Sequence, residues 1–143
     1  MKNFRGQCHC GAIAFDYSTA LPPGDWPIRA CQCAFCRAHD ALSTSDTAGT
    51  LIFTATVPDY LQRYRFAMKT ADFLLCRNCG VYIGAVIDTA NGCFGIINTH
   101  ALETTPVDIA AVAAMNYDQE DKSGRVSRRE DRWTPVQQSP DKD

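Results

Sequence analysis

The feature that most constrains this chain is the grouping of its eight cysteines: Cys8 and Cys10; Cys31, Cys33 and Cys36; Cys76 and Cys79; and Cys93 alone. Cysteines scattered through a core would not cluster this way. The N-terminus runs Met1-Lys2-Asn3-Phe4-Arg5-Gly6 into Cys8 with no apolar stretch of the kind a secretory signal needs. A reducing cytoplasm is therefore the expected compartment, and clustered thiols there point to metal ligation or redox chemistry rather than a disulfide scaffold.

Other properties narrow the class. At 143 residues and 45% apolar content the chain is long enough for one domain with a real core, expected over residues 1–133. Fourteen basic residues against sixteen acidic ones leave a formal charge of -2, which argues against a nucleic-acid partner. No stretch reaches the roughly 20 apolar residues of a membrane helix.

The first two-thirds reads as short strands broken by turns: Gly11–Tyr17, Leu51–Val57 stopped by Pro58, Tyr60–Phe66, Phe73–Cys76, and a hairpin of Val81–Ile87 with Cys93–Asn98 around Asn91-Gly92. Ile28–Cys33 reads as a short extended piece, Ala34–Asp40 as one or two helical turns, and Ser43–Gly49 as loop. Pro106–Met115 fits a helix or an extended stretch packed on the sheet. Asp121–Trp133 is expected as an exposed helix with Val126 and Trp133 on its inner face. Residues 134–143, with two prolines and charged ends, are expected to be a flexible tail.

Cys8-His9-Cys10-Gly11 and Cys76-Arg77-Asn78-Cys79-Gly80 form the first constellation. In an extended segment Cys8 and Cys10 point to one face, and Cys76 and Cys79 have the spacing that bends a turn around a metal. Gly80 supplies backbone freedom for that turn. Four thiolates make a closed tetrahedral zinc site, structural in character. Structural zinc contributes on the order of 10–16 kcal/mol in finger peptides, as much as the whole stability of a domain.

Cys31, Cys33 and Cys36 form the second constellation. Three ligands with a fourth position open is the pattern of catalytic zinc. Such a site would take an external thiol and hold it deprotonated. Two alternatives stand beside it: Cys93 or His39 completes a second closed site, or Cys33 and Cys36 are a metal-free redox dithiol. Cys93 reads as a small buried hydrophobe, His9 as a surface residue, and His100 has no evident role. The arginines of residues 125–132 read as a solvated face, or as partners for the carboxylates of a ligand.

The order C-x-C-G, C-x-C-x-x-C-R, C-x-x-C-G resembles the glutathione-dependent formaldehyde-activating enzymes, also called the centromere-protein-V-like domain. The resemblance covers about residues 6–103, including the segment Ile96-Ile97-Asn98-Thr99-His100-Ala101-Leu102-Glu103. It implies a mainly β, Mss4-like fold of small antiparallel sheets pinned by zinc. It implies two zinc ions per chain, a structural one on Cys8, Cys10, Cys76 and Cys79 and a catalytic one on Cys31, Cys33 and Cys36. The implied activity is that of a carbon–sulfur lyase joining formaldehyde and glutathione as S-hydroxymethylglutathione. The chain departs from the pattern after Cys36-Arg37, where many relatives have a small residue and Gly and this chain has Ala38-His39-Asp40. The alternative function is a non-catalytic, zinc-stabilised binding module, since one fold serves many roles.

Overall fold

The computed structural model describes residues 1–104 and 112–140. The protein is mainly β, with two short helices. In chain order the elements are β1 (Lys2–Gln7), β2 (Ile13–Thr19), β3 (Arg29–Cys31), α1 (Ala34–Ala38), β4 (Ser43–Thr44), β5 (Thr50–Ala55), β6 (Leu61–Tyr64), β7 (Asp72–Cys76), β8 (Tyr82–Thr89), β9 (Gly92–Asn98), β10 (Ala113–Met115), α2 (Lys122–Arg132) and β11 (Thr134–Gln138). The strands read from alternation and turn residues all form, within a few residues of their expected bounds. Strands β1, β4 and β11 are additional, and β10 is the extended alternative offered for the end of Pro106–Met115. No described helix is long and apolar enough to cross a membrane.

Most pairings are antiparallel, but β10 on β3 and β11 on β5 are parallel, so the sheet is mixed. Strand β9 organises it. One edge of β9 takes β8 from Gly92 to Ile97. The other edge is divided: β4 pairs at Ile97 and Asn98, and β11 pairs at Phe94 and Gly95. Because β11 also pairs with β5, it joins the β1-β2-β5 layer to the rest. Residues 134–138 are thus a structural strand where a flexible tail was expected. The expectation failed because Pro135 and polar residues read as frayed, yet Thr134 is fully buried and its hydroxyl accepts a hydrogen bond from the Asp46 backbone N–H at 2.9 Å.

Two apolar clusters fill the interior, and β8 serves both. Ile83 and Val86 pack with Phe15, Tyr17, Trp26 and Phe53 in the first; Tyr82, Ala85 and Ile87 pack with Phe73, Ile96 and Trp133 in the second. Strict alternation along β8 cannot give that division. It needs the register shift opposite Leu74 and Leu75, where Ile83 is the extra residue. A bulge of one residue exchanges the two faces.

The chain after residue 112 wraps one side of the molecule. Within the Pro106–Met115 stretch, residues up to 111 lie outside the described residues, and Ala113–Met115 are extended beside β3. Helix α2 forms where expected. Asp121 caps it, accepting from the Gly124 N–H at 2.7 Å. Val126 and Trp133 both pack on the second cluster. Glu130 accepts from Thr89 and Asn91 at the β8–β9 turn, at 2.6 and 2.7 Å, tying the helix to the hairpin.

Candidate metal centres

Cys8 follows the end of β1, and Cys76 is the last residue of β7; each opens a tight turn closed by a glycine. The Gly11 N–H bonds the Cys8 carbonyl at 3.1 Å, and the Gly80 N–H bonds the Cys76 carbonyl at 2.8 Å. Gly11 and Gly80 both have φ +82°, a conformation that side-chain-bearing residues rarely adopt. The freedom expected of Gly80 is used, and Gly11 repeats it. Cys8 and Cys10 are not on one extended face, as the sequence suggested; the turn at Gly11 folds Cys10 back toward Cys8.

The four thiols of Cys8, Cys10, Cys76 and Cys79 lie within 4.8 Å of one another. Two of the separations are 3.7 Å (Cys8–Cys10) and 3.5 Å (Cys10–Cys76). Sulfurs placed about 2.3 Å from a zinc ion in a tetrahedron stand about 3.8 Å apart, so the donor set fits zinc. One member of each pair faces inward: Cys8 and Cys76 are buried in the first apolar cluster, while Cys10 is exposed. Left to share protons among themselves, these thiols diverge. Burial pushes Cys8 up to about 12, whereas a hydrogen bond from the Asn78 side chain, helped by the Ala12 N–H, brings Cys10 down to about 6. The group is rich in backbone donors aimed at sulfur, as a thiolate site requires.

The second group is Cys31, Cys33 and Cys36, again within 4.8 Å of one another. Cys31 ends β3. Cys33 is the N-cap of α1, its sulfur accepting from the Cys36 N–H at 3.4 Å. Cys36 is one turn on and buried. The Cys31 thiol is held at about 5, first by a hydrogen bond from Cys36; that bond and burial raise Cys36. Among the described residues no fourth Cys, His, Asp or Glu joins this group. His39 instead packs against the Phe35 ring at 4.6 Å and the Tyr82 ring at 5.6 Å. Cys93 lies in β9, half-buried against the first apolar cluster and outside both groups. His9 is exposed, and His100 approaches Asp40 at 3.8 Å. Asp40 takes φ +49° at the end of α1, a conformation Asp tolerates better than most side chains, whereas His39, at the position where the resemblance leads one to look for Gly, stays at φ -97°.

The three thiols line a cavity of about 170 Å³. Phe66, Phe73, Ile96 and Trp133 give it apolar walls. Arg29 enters from β3, and Arg125, Arg128 and Arg129 from α2. Helix α2 therefore roofs the three-cysteine group and turns its arginines inward. Glu120 accepts from Arg128 Nε at 2.6 Å and from Arg125 Nε at 3.4 Å. Arg128 also stacks on Tyr117, 3.6 Å from its ring centre. The sequence pointed to these arginines as possible ligand contacts but gave no sign that Arg29 would join them. Its neighbourhood to Cys31 in the chain was the available signal.

No known protein-family model matches the chain, and no curated protein matches it. Among solved structures it is similar to a Rhodobacter sphaeroides protein determined by structural genomics. The two are 27% identical, with a TM-score of 0.58, over 78% of this chain and 99% of that one. The likeness supports the architecture and brings neither a family nor an activity with it.

Proposed function

We propose that the protein is a zinc enzyme of the carbon–sulfur lyase type, acting on the adduct of a small thiol and an aldehyde. Glutathione with formaldehyde, giving S-hydroxymethylglutathione, is the pair that the sequence resemblance suggests. The observation that carries the reading is the contrast in donor sets: four converging thiols in one place, and in the other three thiols lining a cavity with no fourth protein ligand among the described residues. The first is the arrangement of a closed structural zinc and the second of an open one. A cytoplasmic setting would keep all seven thiols reduced.

Zinc held by Cys31, Cys33 and Cys36 would supply an open position that lowers the pKa of an external thiol. The chain's own residues would do the rest. The apolar walls exclude water, and the cavity holds sulfur and carbonyl carbon together, so that much of the rate gain is proximity. Overall the sulfur adds to the carbonyl carbon and the thiol proton ends on the former carbonyl oxygen. The lyase direction reverses this.

The test is elemental analysis of protein purified without chelator, followed by thiol and aldehyde assays. Two zinc ions per chain, one lost selectively in Cys33→Ser together with turnover, is the expected result. Full turnover in Cys33→Ser overturns the mechanism. The non-catalytic binding module would show two zinc ions and no response to any small thiol. Val57, Tyr60 and Tyr64 are large and exposed, but single exposed apolar side chains are ordinary and do not by themselves mark a docking face.

A further inference from the structure

The cavity beside the three thiols holds more positive charge than its own acids answer. Four guanidinium groups line it. Glu120 pairs with Arg125 and Arg128. Neither Arg29 nor Arg129 has a carboxylate partner among the described ion pairs. Arg29 donates to the Ser45 hydroxyl at 2.6 Å, and Arg129 donates through Nη1 to the Thr70 hydroxyl at 2.6 Å. Neutral acceptors leave both charges uncompensated.

Arg129 is the telling one. It is 8% exposed, and its Nε has no hydrogen-bond partner. A buried, unsatisfied N–H on a charged group is costly and calls for a partner. Its Nε lies on the edge of the guanidinium shared with Nη2, the edge that grips a carboxylate side-on with two parallel bonds. The Trp133 ring lies 4.9 Å from its Cζ, and burial brings its pKa down to about 10, still charged at neutral pH. One guanidinium edge with two parallel N–H donors matches the two oxygens of a carboxylate.

We infer that Arg129, in the cavity that Arg29 also lines, forms a carboxylate subsite, so that the cavity takes a thiol carrying a carboxylate: sulfur toward Cys31, Cys33 and Cys36, carboxylate on the Arg129 guanidinium. The sulfur end of this inference rests on the open-site reading above; the carboxylate end does not. Arg129 is a binding residue here, and the substrate class is narrowed from any small thiol to an anionic one.

The experiment is calorimetric titration of the full zinc-loaded chain with 3-mercaptopropionate, 2-mercaptoethanol, propionate and inorganic phosphate. The expected result is at least tenfold tighter binding of 3-mercaptopropionate than of 2-mercaptoethanol. Arg129→Gln should abolish that preference, and Arg129→Lys should retain part of it. Equal affinity of the two thiols for the unaltered protein overturns the subsite and leaves the open metal site standing; this comparison needs no variant to fold. Arg129-dependent binding of propionate, with no gain from adding a thiol, keeps the subsite and overturns the open-site reading. Tighter binding of phosphate than of propionate overturns the choice of carboxylate.

Discussion

The two cysteine groups sit in one chain and share one chemistry, yet they are built differently. The four-cysteine group joins residues 66 apart in sequence, Cys10 and Cys76, through two turns of similar design. The three-cysteine group is gathered from six consecutive residues. Each is set against its own apolar cluster, Cys8 and Cys76 in the first and Cys36 in the second. A metal at the first site can form only after distant strands meet, so its binding energy is folding energy. At the second site even an unfolded chain keeps its ligands close. Metal binding to the unfolded state reduces the stabilisation gained by folding. On the function proposed above, the long-range site would serve the fold, and the local one would be free to serve a ligand.

The largest expected effect sharpens that contrast. Cys76→Ser should lower the zinc content by one ion and abolish cooperative thermal unfolding, since the lost contribution, about 10–16 kcal/mol in finger peptides, equals the stability of a typical domain. Circular dichroism melts with elemental analysis would check it. An unchanged melt in a protein that has lost this zinc would break the comparison at its root.

Next is Trp133→Ala. Trp133 is 4% exposed and packs in the second apolar cluster at the end of α2. Truncation of a buried aromatic costs about 3–5 kcal/mol. Urea unfolding should show that loss with zinc at the four-cysteine site undisturbed. Loss of both ions together would show that the two halves are one cooperative unit.

Cys33→Ser should cost less, about 1–2 kcal/mol, the ordinary range for a single substitution. Its zinc stoichiometry should fall from two to one while the thermal transition stays cooperative. A collapse like that of Cys76→Ser would make the second site structural too and remove the distinction drawn here.

The sequence made the first site nearly complete and the second only half so. Spacing and glycine chemistry are local signals, and Cys8-x-Cys10-Gly11 with Cys76-x-x-Cys79-Gly80 is made of little else. The strands were legible for the same reason. What escaped was whatever depended on long-range pairing. Thr134–Gln138 looks polar because β11 is short, and its place between β5 and β9 comes from backbone hydrogen bonding that no side-chain period records. Of the strands not foreseen, β4 has only two residues, too short for alternation to register. The helix that roofs the second site was legible, but where it docks was not. Asp121–Trp133 reads as a charged surface helix because five of its residues are arginine or lysine. Its attachment to the sheet depends on Glu130 meeting Thr89 and Asn91, and on Trp133 finding a cluster assembled from β7, β8 and β9.

The smallest effect is the most discriminating. The Asp121 carboxylate accepts the Gly124 N–H at 2.7 Å and so satisfies one of the unpaired donors at the start of α2. Asp121→Ala should cost about 1 kcal/mol, the usual value of an N-cap. Because α2 contributes arginines to the second site and nothing to the four-cysteine group, the loss should be felt on one side alone. Hydrogen exchange along α2 should quicken, and zinc should leave the three-cysteine group faster when a metal-binding dye competes for it. The four-cysteine group should release its zinc at the unaltered rate. Faster release from both groups would mean that loosening the roof loosens the whole sheet, through the strand β11 that follows α2 directly. Unchanged release from both would mean that α2 lies over the cavity without governing access to it.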